Sequence, residues 1–175
     1  VVYKSLHQRS IKDKDVCAFT GLVDSDLARC IDTRRSVTGF IFFLGLCIIS
    51  WQSKQQTSVA LSSMEAENMA ACAATQEALW LSRLLKEFGC QFTKPITLLE
   101  DNQACIYYSR NPGDFQRTKH IDQKYHFVRE HVAEGNVILQ KVNTTDNLAD
   151  IFTKPLNKRE FYNLVQYIMV PVQQK

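Results

Sequence analysis

The 175 residues are 45% hydrophobic and 22% charged, enough for one well-buried core and too few for two ordinary domains. No run approaches the roughly 18 to 20 apolar residues that span a bilayer, and the opening VVYKSLHQRSIKDKD has no apolar core of signal-peptide type. A net charge of +3 admits a nucleic-acid partner without specifying one. Cys17, Cys30, Cys47, Cys72, Cys90 and Cys105 include no CxxC pair, which argues against zinc and for free thiols in a reducing compartment.

Residues 1–15 are polar and read as a linker from an upstream segment; residues 16–167 form the domain, and 168–175 a polar tail. VCAFTGLVD, SVTGFIFFLG and CIISWQSK read as three successive strands, with Gly45–Leu46 as a tight turn between the second and third. A long helix follows from about Ser63 to Phe88. Ser62 and Glu65 stand at capping-box spacing before it, and Gly89 is placed to stop it. ITLLED is a fourth strand, NQACIYYSR a short helix ended by Asn111-Pro112-Gly113, and His120–Ala133 an amphipathic helix closed near Gly135. NVILQKV is a fifth strand; NLADIFTK is a last short helix stopped by Pro155, and Lys158–Tyr167 a further helical piece. Trp51 and Trp80 read as core residues.

This alternation specifies an α/β fold with a mixed sheet. The fourth strand returns through a long helical crossover, so it lies parallel and adjacent to the first. Ligand sites favour the carboxyl ends of strands at such a switch point. Asp24 ends the first strand and Asp101 the fourth, so two carboxylates are expected side by side. Magnesium favours hard oxygen ligands and accepts phosphate oxygens, and a pair of ions about 4 Å apart suits phosphodiester hydrolysis. Glu67 on the long helix and Asp150 on the last helix would complete the ring. Helical projection puts Glu67 at the edge of the apolar side, with Ala66, Ala70 and Ala74. It puts Glu65 on the polar side with Asn68, Thr75, Gln76, Ser82, Arg83 and Lys86.

The chain resembles the ribonuclease H region of Copia-type LTR retrotransposon polyproteins. The matching segments are VDSD at Val23, DTRRSVTGF at Asp32, SWQSKQ at Ser50, SSMEAE at Ser62, EALWL at Glu77 and EDNQ at Glu100. RTKHID at Arg117, YHF at Tyr125 and LADIFTKPL at Leu148 follow in the family's order. The resemblance implies the ribonuclease H-like fold, a five-stranded mixed sheet of order 3-2-1-4-5 with helices on both faces. It implies cleavage of the RNA strand of RNA–DNA hybrids with two Mg²⁺ ions, for which Mn²⁺ may substitute. Asp24, Glu67, Asp101 and Asp150 fall on the family's metal-binding acidic positions. Ser63 and Gln103 fall where related enzymes meet the hybrid's minor groove, which displays the 2′-hydroxyls. Arg117, Lys119 and His120 lie in a basic stretch suited to the phosphate backbone. A reverse transcriptase module is expected upstream in the same polyprotein, with no membrane partner. The expected setting is intracellular, in a cytoplasmic virus-like particle or the nucleus.

The chain also departs from the family. Leu27-Ala28-Arg29 stands where relatives carry Trp-Ala-Gly, and Asn68 where they carry Tyr. The loop Val142–Thr145 lacks the histidine that cellular ribonucleases H often place there. A rival reading is therefore a decayed copy that binds nucleic acid without cutting it.

Overall fold

The computed structural model describes residues 16–111 and 119–169, with the backbone alone at 119–122. The expected linker at 1–15, most of the expected tail and Arg117 lie outside the described residues. In chain order the elements are β1 (Phe19–Asp26), β2 (Val37–Leu44), β3 (Cys47–Gln55), α1 (Ser63–Glu87), β4 (Ile96–Glu100) and α2 (Gln103–Arg110). They continue with α3 (Lys119–Ala133), β5 (Val137–Lys141), a 3-10 turn (Thr144–Asp146), α4 (Asp150–Thr153) and α5 (Lys158–Val165).

The sheet runs β3-β2-β1-β4-β5, the order that the family resemblance implies. The three N-terminal strands form an antiparallel meander, while β4 pairs parallel with both β1 and β5. Gly45, at φ 62°, and Leu46 join β2 to β3.

Period-two alternation divides the apolar side chains between two faces. Phe19, Val23, Phe40, Phe42, Leu98 and Leu139 point to one, where they meet Ala70, Ala74, Ala78 and Leu81 of α1. The alanines let a 25-residue helix lie close on the sheet. Leu22, Ile41, Phe43 and Leu99 point to the other face and meet Leu148, Ala149 and Leu164 around α4 and α5. Gly21 is required between the layers, because a Cβ there would fall 2.5 Å from the Phe42 ring.

Four details differ from the sequence reading. First, β1 continues past Asp24 to Asp26 because β2 still pairs with it there, and its start shifts to Phe19. Second, α1 buries part of its polar side: Asn68, Thr75 and Ser82 are covered where α2 and α3 pack over the helix, while Gln76, Arg83 and Lys86 stay exposed as the projection expects. Thr75 and Ser82 tolerate this by donating to the backbone of Ala71 and Leu79. Third, Trp51 and Trp80 are 64% and 55% exposed, so neither is a core residue. Trp51 sits on β3, the outermost strand on its side of the sheet. Fourth, the last short helix covers only Asp150–Thr153; the residues before it form a 3-10 turn and an Asn-anchored bend.

Candidate metal centre

Asp24 and Asp101 leave neighbouring parallel strands at the same end. The β1–β4 pairing reaches Leu22 opposite Leu99, and each aspartate stands two residues beyond. Asp24 is 2% exposed. On one face of the sheet, α1 starts over this edge. Its cap is partly as expected: Ser62 Oγ accepts from the Glu65 N–H, but the Glu65 carboxylate accepts from the Leu61 N–H at 3.0 Å. Glu67, one residue past the first turn, is buried and directed at the edge. Asp24, Glu67 and Asp101 each bring a carboxylate oxygen within 4.8 Å of the other two.

The other face delivers the fourth carboxylate. Asn147 is fully buried; its Nδ2 donates to the Val23 carbonyl at 2.9 Å, and its Oδ1 accepts from the Ala149 N–H. This ties the entry to α4 onto the backbone beside Asp24. Gly39 lies opposite Asp24 in the β1–β2 register. A Cβ at Gly39 would meet Thr153 Cγ2 at 2.6 Å and Phe152 Cβ at 2.9 Å, so its bare backbone lets α4 settle onto the sheet. Thr153 Oγ1 then donates to Asp24 Oδ2. Lys154 Nζ stands 2.9 Å from Asp150 Oδ1 and 3.9 Å from Asp24 Oδ2.

The electrostatics follow from crowding carboxylates out of water. Burial raises the Asp24 carboxyl, with Asp101 adding to it, while Thr153 and Lys154 oppose. Glu67 is pushed up to about 11, by burial first and then by Glu100, Asp24 and Asp101. Asp150 is raised to about 7 by burial and by Asp24, against the pull of Lys154. Partial burial works against the charge on Lys154, but Asp150 and Asp24 outweigh it and raise the ammonium above its ordinary value. One Glu67 oxygen, Oε2, is buried without a hydrogen-bond partner. A hard divalent cation would relieve this arrangement, and the all-oxygen, anionic donor set fits Mg²⁺ or Mn²⁺.

Beside the cluster stands a buried acid that sequence reasoning missed, Glu100. It is fully buried, its Oε1 accepts from the Asn102 N–H at 2.9 Å, and its Oε2 has no partner. Strand alternation puts it with Ile96 and Leu98 on the α1 face, where burial holds its carboxyl well above the ordinary range. An acidic residue on the strand face otherwise formed by Ile96 and Leu98 was the available signal.

The remaining expected residues are placed as follows. Ser63 and Gln103 are the exposed first residues of α1 and α2, flanking the carboxylate edge in sequence. Lys119 and His120 open α3, but their side chains, like Arg117 as a whole, lie outside the described residues. Glu65 is buried rather than solvated, because its carboxylate turns back to cap the Leu61 N–H.

The chain is 42% identical over 141 residues, 81% of its length, to a retrovirus-related Pol polyprotein from transposon TNT 1-94 of Nicotiana tabacum. It spans about a tenth of the length of the curated relatives it matches. Among solved structures, it resembles ribonuclease H1 of Halobacterium salinarum with a TM-score of 0.52 and 17% identity, covering 77% of this chain and 93% of that one. It also resembles part of the foamy viral protease-reverse transcriptase, solved with an RNA/DNA hybrid. There the TM-score is 0.56 and identity 14%, covering 82% of this chain and 20% of that one. No protein-family model matches the chain. The chain is a relative of a segment of transposon Pol polyproteins, and its fold is that of ribonuclease H domains.

Proposed function

We propose that this domain hydrolyses the RNA strand of RNA–DNA hybrids during retroelement reverse transcription, using two bound divalent cations. The convergence of Asp24, Glu67 and Asp101 within 4.8 Å at the carboxyl edge of the sheet carries this reading. Asp150, tied to Asp24 through Lys154, is its fourth member. These four carboxylates would hold the cations, which supply activation of water and stabilisation of the leaving oxygen when bound. Thr153 fixes the orientation of Asp24 by donating to it. Asn147 and Gly39 set how closely Asp150 approaches. Ser63 and Gln103, the exposed first residues of α1 and α2, would meet the hybrid's minor groove and its 2′-hydroxyls. Arg117, Lys119 and His120 would neutralise backbone phosphates on the approach to α3. Its partner in the longer protein would be a reverse transcriptase module.

The test is a strand-labelled RNA–DNA hybrid incubated with the purified chain, with Mg²⁺, with Mn²⁺ and with EDTA. RNA-strand cleavage that needs the metal, and spares duplex DNA, is expected. Metal-independent cleavage, or equal cutting of duplex DNA, would refute the reading. Hybrid binding without cleavage would identify a decayed, binding-only copy, as the departures at Leu27-Ala28-Arg29 and Asn68 suggest.

A further inference from the structure

Lys154 already occupies cation space within the carboxylate ring. Its ammonium holds Asp150 Oδ1 at 2.9 Å and approaches Asp24 Oδ2 to 3.9 Å. Its backbone N–H closes α4 on the Asp150 carbonyl, so the stem of this side chain starts from a fixed point. A divalent cation held by Asp24 and Asp150 would need these oxygens, and two like charges at such separations repel strongly in a partly buried site. The opposite flank is built otherwise: the charges acting on Glu67 are Glu100, Asp24 and Asp101, all acidic. There is also room for the ammonium to move. A cavity of about 310 Å³ opens beside it, lined by Thr144, Thr145, Asp150 and Asn163 among others.

We infer that Lys154 is a displaceable counter-ion that makes the two cation positions unequal: a strong one at Asp24, Glu67 and Asp101, and a weakened one at Asp24 and Asp150. Lys154 is a positioning residue in this scheme. It holds the two aspartates together while the site lacks metal, and withdraws toward the cavity when the second cation arrives. The second position therefore fills only when something further favours it, and a substrate phosphate reaching the site would do so.

This inference rests on the metal-site reading above, and Mn²⁺ binding without nucleic acid separates the two. Isothermal titration of the whole chain at mildly alkaline pH, with Mn²⁺ spin-resonance spectra as a second readout, should show one tight and one weak site in the wild type. In Lys154→Met the weak site should tighten by on the order of ten-fold, about 1.4 kcal/mol. Lys154→Arg should behave as the wild type. Metal-free Lys154→Met should melt below the wild type, and Mn²⁺ should close that gap. An unchanged or weaker second site in Lys154→Met overturns the inference while leaving the metal site intact. A wild type that takes up no Mn²⁺ overturns both. In Asp101→Asn the tight site should be lost and the weak one retained, and loss of the weak site alone also contradicts the scheme.

Discussion

The two helices flanking Asp24 treat their carboxylates in opposite ways. On one face, the 25-residue α1 brings Glu67 against Glu100, Asp24 and Asp101, with burial and repulsion acting in the same direction. On the other, the four-residue α4 brings Asp150 together with Thr153 and Lys154, which offset the charge they approach. The long helix is stabilised by its apolar packing and can tolerate an unbalanced acid near its start. The short helix adds Ile151 and Phe152 to the apolar cluster on its face, and is held besides by Asn147, by a glycine-sized gap and by the ion pair. One flank is acidic throughout; the other carries a counter-ion of its own.

The largest expected effect breaks the unbalanced flank. Glu67→Gln should lower metal-dependent cleavage by more than about 100-fold, beyond the ~10–100-fold typical of losing a group that only supports a ligand. It should leave the metal-free protein at least as stable, because Gln is neutral in the buried site without having to take up a proton. Initial rates and melting temperatures measured together check this; a marked fall in metal-free melting temperature would make Glu67 structural.

Next, the balanced flank should fail through geometry rather than charge. Gly39→Ala forces a methyl into Thr153 and should cost about 1–3 kcal/mol as overpacking. By lifting Asp150 and Thr153 from Asp24, it should reduce cleavage toward the ~100-fold that a 1 Å misplacement can cause. Denaturant unfolding and steady-state rates report the two separately. Full activity in this variant would show that α4 does not need its close seat.

These two flanks were not equally legible in the sequence. The adjacency of β1 and β4, with Asp24 and Asp101 at one edge, follows from strand periods and a helical crossover; the full sheet order and the role of Glu67 are what the family resemblance implies. What holds α4 is non-local. Asn147 reaches Val23 across 124 residues, and Thr153 reaches Asp24 across 129. Neither contact leaves a periodic trace. Gly39 stood inside a recognised segment, but its role depends on a helix more than a hundred residues later. The polar side of α1 misled the projection for a related reason, since a helix packed on both sides has no solvent face at Asn68 or Thr75.

A smaller effect concerns pH. Asp24, Glu67, Glu100 and Asp150 all have carboxyls raised in the metal-free fold. A raised carboxyl contributes its full stability below the unfolded value and loses it as pH rises through the folded value. The metal-free melting temperature should therefore decline from near the ordinary aspartate value of 3.8 through Asp150's value of about 7, and continue to decline toward Glu67's value of about 11. Saturating Mg²⁺ should flatten the decline, and its binding near neutrality should release protons measurable in weakly buffered solution. Metal-free stability that rises with pH over this interval would contradict the charge assignment.

The smallest effect belongs to Glu65, two residues from Glu67 and equally buried but turned to the Leu61 N–H. Glu65→Gln keeps an acceptor for that donor, so it should cost at most about 1 kcal/mol and leave the cleavage rate nearly unchanged. Kinetics that reverse the ranking of Glu65 and Glu67 would place the wrong helix residue in the site.

Anomalous diffraction from crystals grown with Mn²⁺ and a non-cleavable RNA–DNA hybrid tests the central claim most directly. The account predicts two peaks about 4 Å apart, one bound by Asp24, Glu67 and Asp101 and the other by Asp24 and Asp150, with Lys154 withdrawn from both aspartates. Manganese bound elsewhere, or no peak touching Asp24 and Glu67, would contradict it.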